Sequence, residues 1–166
     1  QSALKGSWAG AMGMPQFLPS VYLRLAKDGS GDGYADIWTS EYDAVASIAN
    51  YFVNSGWRRG EPWGIAVNVP SSLDRASIES KIVPTRCPRV FNRHSQWKTV
   101  SEWQRLGVVP ATGNRLDESV MATLLEPDGP ASRAYLLTGN YRVILDYNCS
   151  NFYGLAVGLL ADEIRS

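Results

Sequence analysis

The sequence predicts an α+β fold, with helical core pieces at both ends of the chain and a small β-rich lobe inserted between them. Two observations lead there. Helix-period apolar patterns mark residues 43–54 and 151–164, whereas short strand-like runs bounded by Pro, Gly, Asp and Ser fill the middle. With 166 residues, 45% of them hydrophobic, the chain can bury one substantial core or a modest core with an attached lobe. The predicted division is 1–57 for the first core part, 58–134 for the β-rich insert, and 135–166 for a closing strand and helix.

Taken in order, Pro19 is placed to open a short helix through Ala26. From Asp43 to Asn54 the residues Val45, Ile48, Ala49, Phe52 and Val53 share one helical face, with Asp43 as the expected N-cap and Gly56 as the stop. Trp63 to Val69 reads as a strand, and Pro70 to Gln96 has weak periodicity. Thr99-Val-Ser-Glu102 is a capping box that opens a helix through Leu106, ended by Gly107. Further strands are expected at Val120–Leu125, Ala134–Leu137 and Tyr141–Asp146. Asn151 to Ile164 is apolar almost all round and predicts a buried helix.

Charge narrows the partners. Sixteen basic residues balance sixteen acidic ones, so no global field draws nucleic acid or an anionic membrane surface. A neutral polysaccharide remains compatible, and six Trp and eight Tyr supply flat rings suited to sugar faces as well as to packing. No run approaches the roughly 20 apolar residues of a membrane span. The chain opens without Met and runs directly into a motif, which predicts missing residues before Gln1. Cys87 and Cys149 allow one disulfide, and two separately buried thiols fit the sequence as well.

Asp28-Gly-Ser30-Gly-Asp32-Gly-Tyr-Ala-Asp36 sets oxygen side chains at relative positions 1, 3, 5 and 9 with Gly33 at 6. A hard cation needs six to eight oxygens from a tightly curled backbone, and this alternation supplies them. Tyr34 would contribute its carbonyl. Thr39 stands where a bidentate Glu would close the loop, so Asp43 or Glu41 must close it instead. The expected site is therefore Asp28, Ser30, Asp32, Tyr34 and Asp43 around a structural Ca2+ or Na+; a solvated Asp/Gly turn is the plainer reading.

The run Gly6-Ser-Trp-Ala-Gly-Ala-Met-Gly-Met-Pro-Gln-Phe-Leu-Pro-Ser20, the acidic loop, Asp43 to Phe52, and Asn140 to Tyr153 occur in an order that resembles the lytic murein transglycosylase B family. The resemblance implies a lysozyme-like fold and cleavage of peptidoglycan between N-acetylmuramic acid and N-acetylglucosamine. It also implies that a single Glu protonates the glycosidic oxygen and then serves as base for attack by the muramyl C6 hydroxyl, giving a 1,6-anhydro sugar. The family Glu lies upstream of the glycine-rich motif, so the resemblance assigns no catalytic residue within this chain and predicts that the chain alone is inactive. It assigns glycan contact to Ser7, Gln16, Tyr51, Tyr147, Asn148 and Tyr153, leaves Met12, Met14 and Phe17 as lining or support, and implies a periplasmic, in some cases lipid-anchored, parent. The partners are peptidoglycan strands and an amino-terminal segment bearing the Glu. The competing reading is a non-catalytic peptidoglycan- or calcium-binding module.

Other chemistries find little support. His94 is the one histidine and is expected at the surface, with no nucleophile elbow near any Ser. Neither zinc spacing nor a phosphate-binding loop is present.

Overall fold

The computed structural model describes residues 6–82 and 84–165. The chain divides into two compact units between Ser55 and Gly56. In the first unit, residues 6–17 curl into a tight turn held by antiparallel bridges of Met12 to Gly6 and to Phe17. Helix α1 (Pro19–Leu25) begins on Pro19, as expected for a residue whose missing N–H costs nothing in a first turn.

Helix α2 (Glu41–Asn54) departs from its expected cap and its expected face. Ser40, not Asp43, is the N-cap, and its side chain accepts from Asp43 N. Asp43 instead buries its carboxylate to accept from the backbone N–H groups of Gly29, Ser30 and Asp36. A buried carboxylate requires such partners, and these donors come from the acidic loop. The buried stripe is Asp43, Ala44, Ser47 and Tyr51, while Val45 and Val53 are each 66% exposed. Polar anchoring turns the helix this way: Ser47 Oγ takes the Lys27 N–H and Asn50 Nδ2 donates to Leu25 O, tying α2 to the end of α1. Beyond the Ser55 C-cap, Gly56 adopts φ +94°, the left-handed conformation that ends a helix.

The second unit is built on a five-stranded antiparallel sheet: β1 (Gly64–Asn68), β2 (Lys98–Thr99), β3 (Val109–Pro110), β4 (Met121–Leu125) and β5 (Ala134–Leu137), in the spatial order β2-β4-β5-β1-β3. The expected strands 63–69, 120–125 and 134–137 match β1, β4 and β5 closely. The two-residue edge strands are too short to carry a period. Ile65, Val67, Leu124 and Leu136 face a core shared with Val100 and the fully buried Trp103 of helix α4 (Val100–Arg105). The predicted capping box forms: Thr99 Oγ1 accepts from Glu102 N, and the Glu102 carboxylate accepts from Thr99 N.

Residues 141–146 are not a strand. They lie in helix α5 (Gly139–Tyr147), capped by Thr138, whose Oγ1 accepts from Asn140 N. Tyr141, Ile144 and Leu145 are buried at spacings of three and four, a period hidden in the sequence by the neighbouring β-branched Val143 and Ile144. Asn140 secures the start of α5: its Oδ1 accepts from Arg58 N and its Nδ2 donates to the carbonyls of Arg58 and Glu61. Helix α6 (Asn151–Arg165) exists as predicted but is buried on one face only, with Phe152, Leu159, Leu160 and Ile164 exposed. Its inward face comprises Asn151, Gly154, Leu155 and Gly158. A Cβ on Gly154 or Gly158 would stand 2.8 Å from Tyr141 Cζ or 2.5 Å from Trp63 Cδ2, so glycine lets these rings lie against the helix backbone.

Candidate functional site

The predicted site residues fall in both units. In the first, Ser7 is exposed and its Oγ accepts from Ala11 N at 3.1 Å, which leaves the hydroxyl proton to donate. Gln16 is also exposed and sits at φ +53°, a left-handed conformation costly for a residue with a Cβ. Gln16 Nε2 donates to Gly13 O at 2.9 Å, which directs the amide and leaves its oxygen as an acceptor. Strain of this kind clusters at working sites. Gly13 permits the turn to press on its neighbour: a Cβ there would meet Ile37 O at 2.6 Å. Tyr51 is only 8% exposed, with its ring 5.9 Å from the buried Phe17, while Met14 is half exposed.

The acidic loop brings Asp28, Asp32 and Asp43 together, each offering a carboxylate oxygen within 4.8 Å of the others. Of the two residues considered for closing the loop, Asp43 lies beside Asp28 and Asp32, whereas Glu41 is an exposed residue of the first turn of α2. Asp28 accepts from the N–H groups of Gly33 and Gly31 and from Ser30 Oγ, and these donors hold its carboxyl below the ordinary range. Burial pushes the Asp43 carboxyl up, but the Gly29, Ser30 and Asp36 donors outweigh it and the net displacement is downward. Asp36 is spent elsewhere, accepting from Trp38 N and Thr39 N. Three carboxylates with oxygens within 4.8 Å of one another, and Ser30 beside them, form an all-oxygen donor set of the kind that suits a hard cation.

In the second unit, Tyr147 and Tyr153 stack with ring centroids 6.5 Å apart and planes inclined by 14°. Asn148, the C-cap of α5, is exposed between them in sequence. The turn from α5 to α6 is pinned by a disulfide joining Cys87 to Cys149 across 62 residues of sequence, so the pairing left open by the sequence is made. Behind the turn lies a polar network that the sequence did not suggest. His94, expected at the surface, is 3% exposed. Its Nε2 is 2.8 Å from Asn151 Oδ1 and its Nδ1 is 3.1 Å from Thr123 Oγ1. Asn151 Nδ2 donates to Val90 O, which fixes the amide orientation and makes His94 Nε2 the protonated nitrogen of a neutral ring. Burial drives the His94 pKa down to about 4. Nearby, the Arg142 guanidinium lies 3.6 Å over the Phe91 ring, and burial lowers its pKa to about 10.

Among the described residues, the glutamates are exposed, ion-paired or part of a helix cap. Glu126 forms a bidentate pair with Arg75, Glu102 belongs to the capping box, Glu61 pairs with Arg58, and Glu41, Glu79, Glu118 and Glu163 are exposed.

A family model described as the transglycosylase SLT domain matches residues 1–162. The chain belongs to that family. As a member of the SLT-domain family it is 32% identical over 162 residues to membrane-bound lytic murein transglycosylase B of Escherichia coli strain K12, covering 97% of this chain and 40% of that protein. It superposes on SltB3 of Pseudomonas aeruginosa in complex with NAG-anhNAM-pentapeptide with a TM-score of 0.82 and 42% identity, over 99% of this chain and 41% of that one. Against the Escherichia coli lytic transglycosylase Slt35 in complex with calcium, the TM-score is 0.70 and the identity 32%, over 96% of this chain and 45% of that one. The chain thus spans less than half the length of each. The α+β, lysozyme-like class predicted from the sequence is the class of these transglycosylases. Among the described residues, no helix is long and apolar enough to cross a membrane.

Proposed function

We propose that the protein to which this chain belongs is a lytic murein transglycosylase that cleaves the MurNAc–GlcNAc β-1,4 bond and forms 1,6-anhydro-MurNAc. The observation that carries the reading is the family match across residues 1–162. In this reading Ser7, Gln16 and Tyr51 contribute from the first unit and Tyr147, Asn148 and Tyr153 from the second. Each set contacts glycan within its own unit, by hydrogen bonding and ring contact. The general acid is a Glu outside this chain, consistent with the surface and ion-paired places of the glutamates described above. Most glycosidases use a second carboxylate as nucleophile or base. Here the substrate's own C6 hydroxyl takes that part, and one acid with a raised pKa suffices.

A Ca2+ bound by Asp28, Ser30, Asp32, the Tyr34 carbonyl and Asp43 would supply structural charge neutralisation and take no part in the reaction. The disulfide fits an oxidising compartment and supports a periplasmic location. The test is digestion of purified murein by the intact parent and by this chain, read by mass spectrometry. The parent releases 1,6-anhydromuropeptides and the chain alone releases none. A parent that yields reducing-end muramic acid is a hydrolase, and one that yields neither product is a binding module; either result refutes the proposal.

A further inference from the structure

We propose that Arg86 and the Cys87–Cys149 disulfide form a clamp that sets the Tyr147–Asn148 turn, so that glycan affinity at this wall depends on the oxidation state of one bond. The inference rests on the reading that Tyr147, Asn148 and Tyr153 hold sugar. The clamp grips the turn on both sides. Before it, Arg86 Nη2 donates to Asp146 O, Arg86 Nε lies 3.8 Å from Asp146 Oδ1, and Cys87 Sγ lies 3.7 Å from Leu145 O. These are C-terminal carbonyls of α5, which lack intrahelical donors and favour a cation. After it, Cys149 carries the covalent tie and Asn151 Nδ2 donates to Val90 O of helix α3 (Pro88–Phe91). Residues 86–90 therefore touch 145, 146, 149 and 151, and the intervening Tyr147 and Asn148 have little room to rearrange.

Cys87 itself adopts φ +55°, an uncommon conformation for a non-glycine residue, directly before a proline that restricts it further. Local backbone preference alone would not hold that shape. A dithiol can reverse the tie: two electrons and two protons pass to the two cysteines, the S–S bond becomes two thiols, and the reductant becomes a disulfide. Without the tie the turn regains rotamers and backbone freedom, which binding must then remove again.

The experiment is calorimetric titration of the whole chain with the disaccharide N-acetylglucosaminyl-N-acetylmuramic acid. The forms compared are oxidised, dithiol-reduced, reoxidised, Cys87→Ser/Cys149→Ser, Arg86→Ala, Arg86→Lys and Tyr147→Ala. Reduction and the double Ser variant are expected to weaken binding about tenfold, and reoxidation to restore it. Arg86→Ala should weaken binding about threefold, with Arg86→Lys intermediate. Proton NMR should show the Tyr147 and Tyr153 ring signals shifting on reduction while the core methyl dispersion stays, which separates loosening from unfolding. Equal affinity of the oxidised, reduced and Arg86→Ala forms, with Tyr147→Ala weakened, overturns the clamp. No effect of Tyr147→Ala, or no binding by the oxidised chain, overturns the glycan reading beneath it. Loss of methyl dispersion in the reduced form also overturns the clamp, because the bond is then a fold staple.

Discussion

Acidifying the protein should cost it stability through one side chain. His94 is the only histidine, it is 3% exposed, and its pKa is depressed from 6.5 to about 4. Burial is the main cause; the hydrogen bond to Asn151 opposes it and the charge of Arg142 adds to it. Between those two pH values the unfolded chain takes a proton that the folded chain refuses, so the stability present above pH 6.5 is lost as pH falls toward 4. A displacement from 6.5 to about 4 corresponds to about 3 kcal/mol. About 2 kcal/mol of this falls between pH 7 and pH 5, a range that lies above the ordinary carboxylates. Urea denaturation at half-unit steps across that range, followed by circular dichroism, reads the slope directly. The His94→Gln variant keeps a hydrogen-bonding side chain but cannot titrate; it should be less stable at pH 7 and nearly flat down to pH 5. In the wild type, the His94 C2–H resonance should not begin to move until below pH 5. A wild-type slope that persists in His94→Gln, or a ring that titrates near 6.5, would refute the reasoning.

Three further substitutions probe other parts of the structure. Asp32→Ala should lower the melting temperature in calcium and change it little in chelator, since Asp32 accepts from Tyr34 N and stands near two other carboxylates; equal shifts in both buffers exclude the cation. Gly158→Ala should gain roughly 1 kcal/mol of helix propensity and lose roughly 1–3 kcal/mol to overpacking against an indole held by its bond to Asp162, for a net loss, whereas Gly113→Ala, with open space around it, should be nearly neutral.

What could be read in the sequence was what local chemistry decides. The Thr99 capping box, Pro19 at a helix start, Gly56 past a helix end and the apolar strand at 134–137 each follow from a few adjacent residues. The acidic run is local in the same way, and Asp28, Asp32 and Asp43 lie close together, whereas the sequence alone did not separate Asp43 from Glu41. The misreadings share a different cause. α2 turns its polar stripe inward because Ser47 and Asn50 bond a segment some 20 residues away, which no helical period reveals. The 141–146 run has strand-like composition, but Asn140 finds its partners at Arg58 and Glu61 and fixes a helix. His94 went to the interior because Thr123 and Asn151, distant in sequence, satisfy both ring nitrogens. Of the residues proposed to contact glycan, Ser7 and Gln16 come from a motif, whereas nothing local signals that Gln16 occupies a left-handed conformation or that the Tyr147 and Tyr153 rings stack.

The carboxylate of Asp43 organises the acidic loop through backbone hydrogen bonds. Because Gly29, Ser30 and Asp36 already donate to it, the backbone that a cation would need is curled in advance. A cation entering such a loop would not have to order a slack chain. It would chiefly relieve the mutual repulsion of Asp28, Asp32 and Asp43, two of which face solvent. Repulsion between exposed charges is weakened by dissolved salt. Capture would then respond strongly to ionic strength and only weakly to anything that stiffens the peptide, so the loop would act as an electrostatic receptor and not as a folding switch.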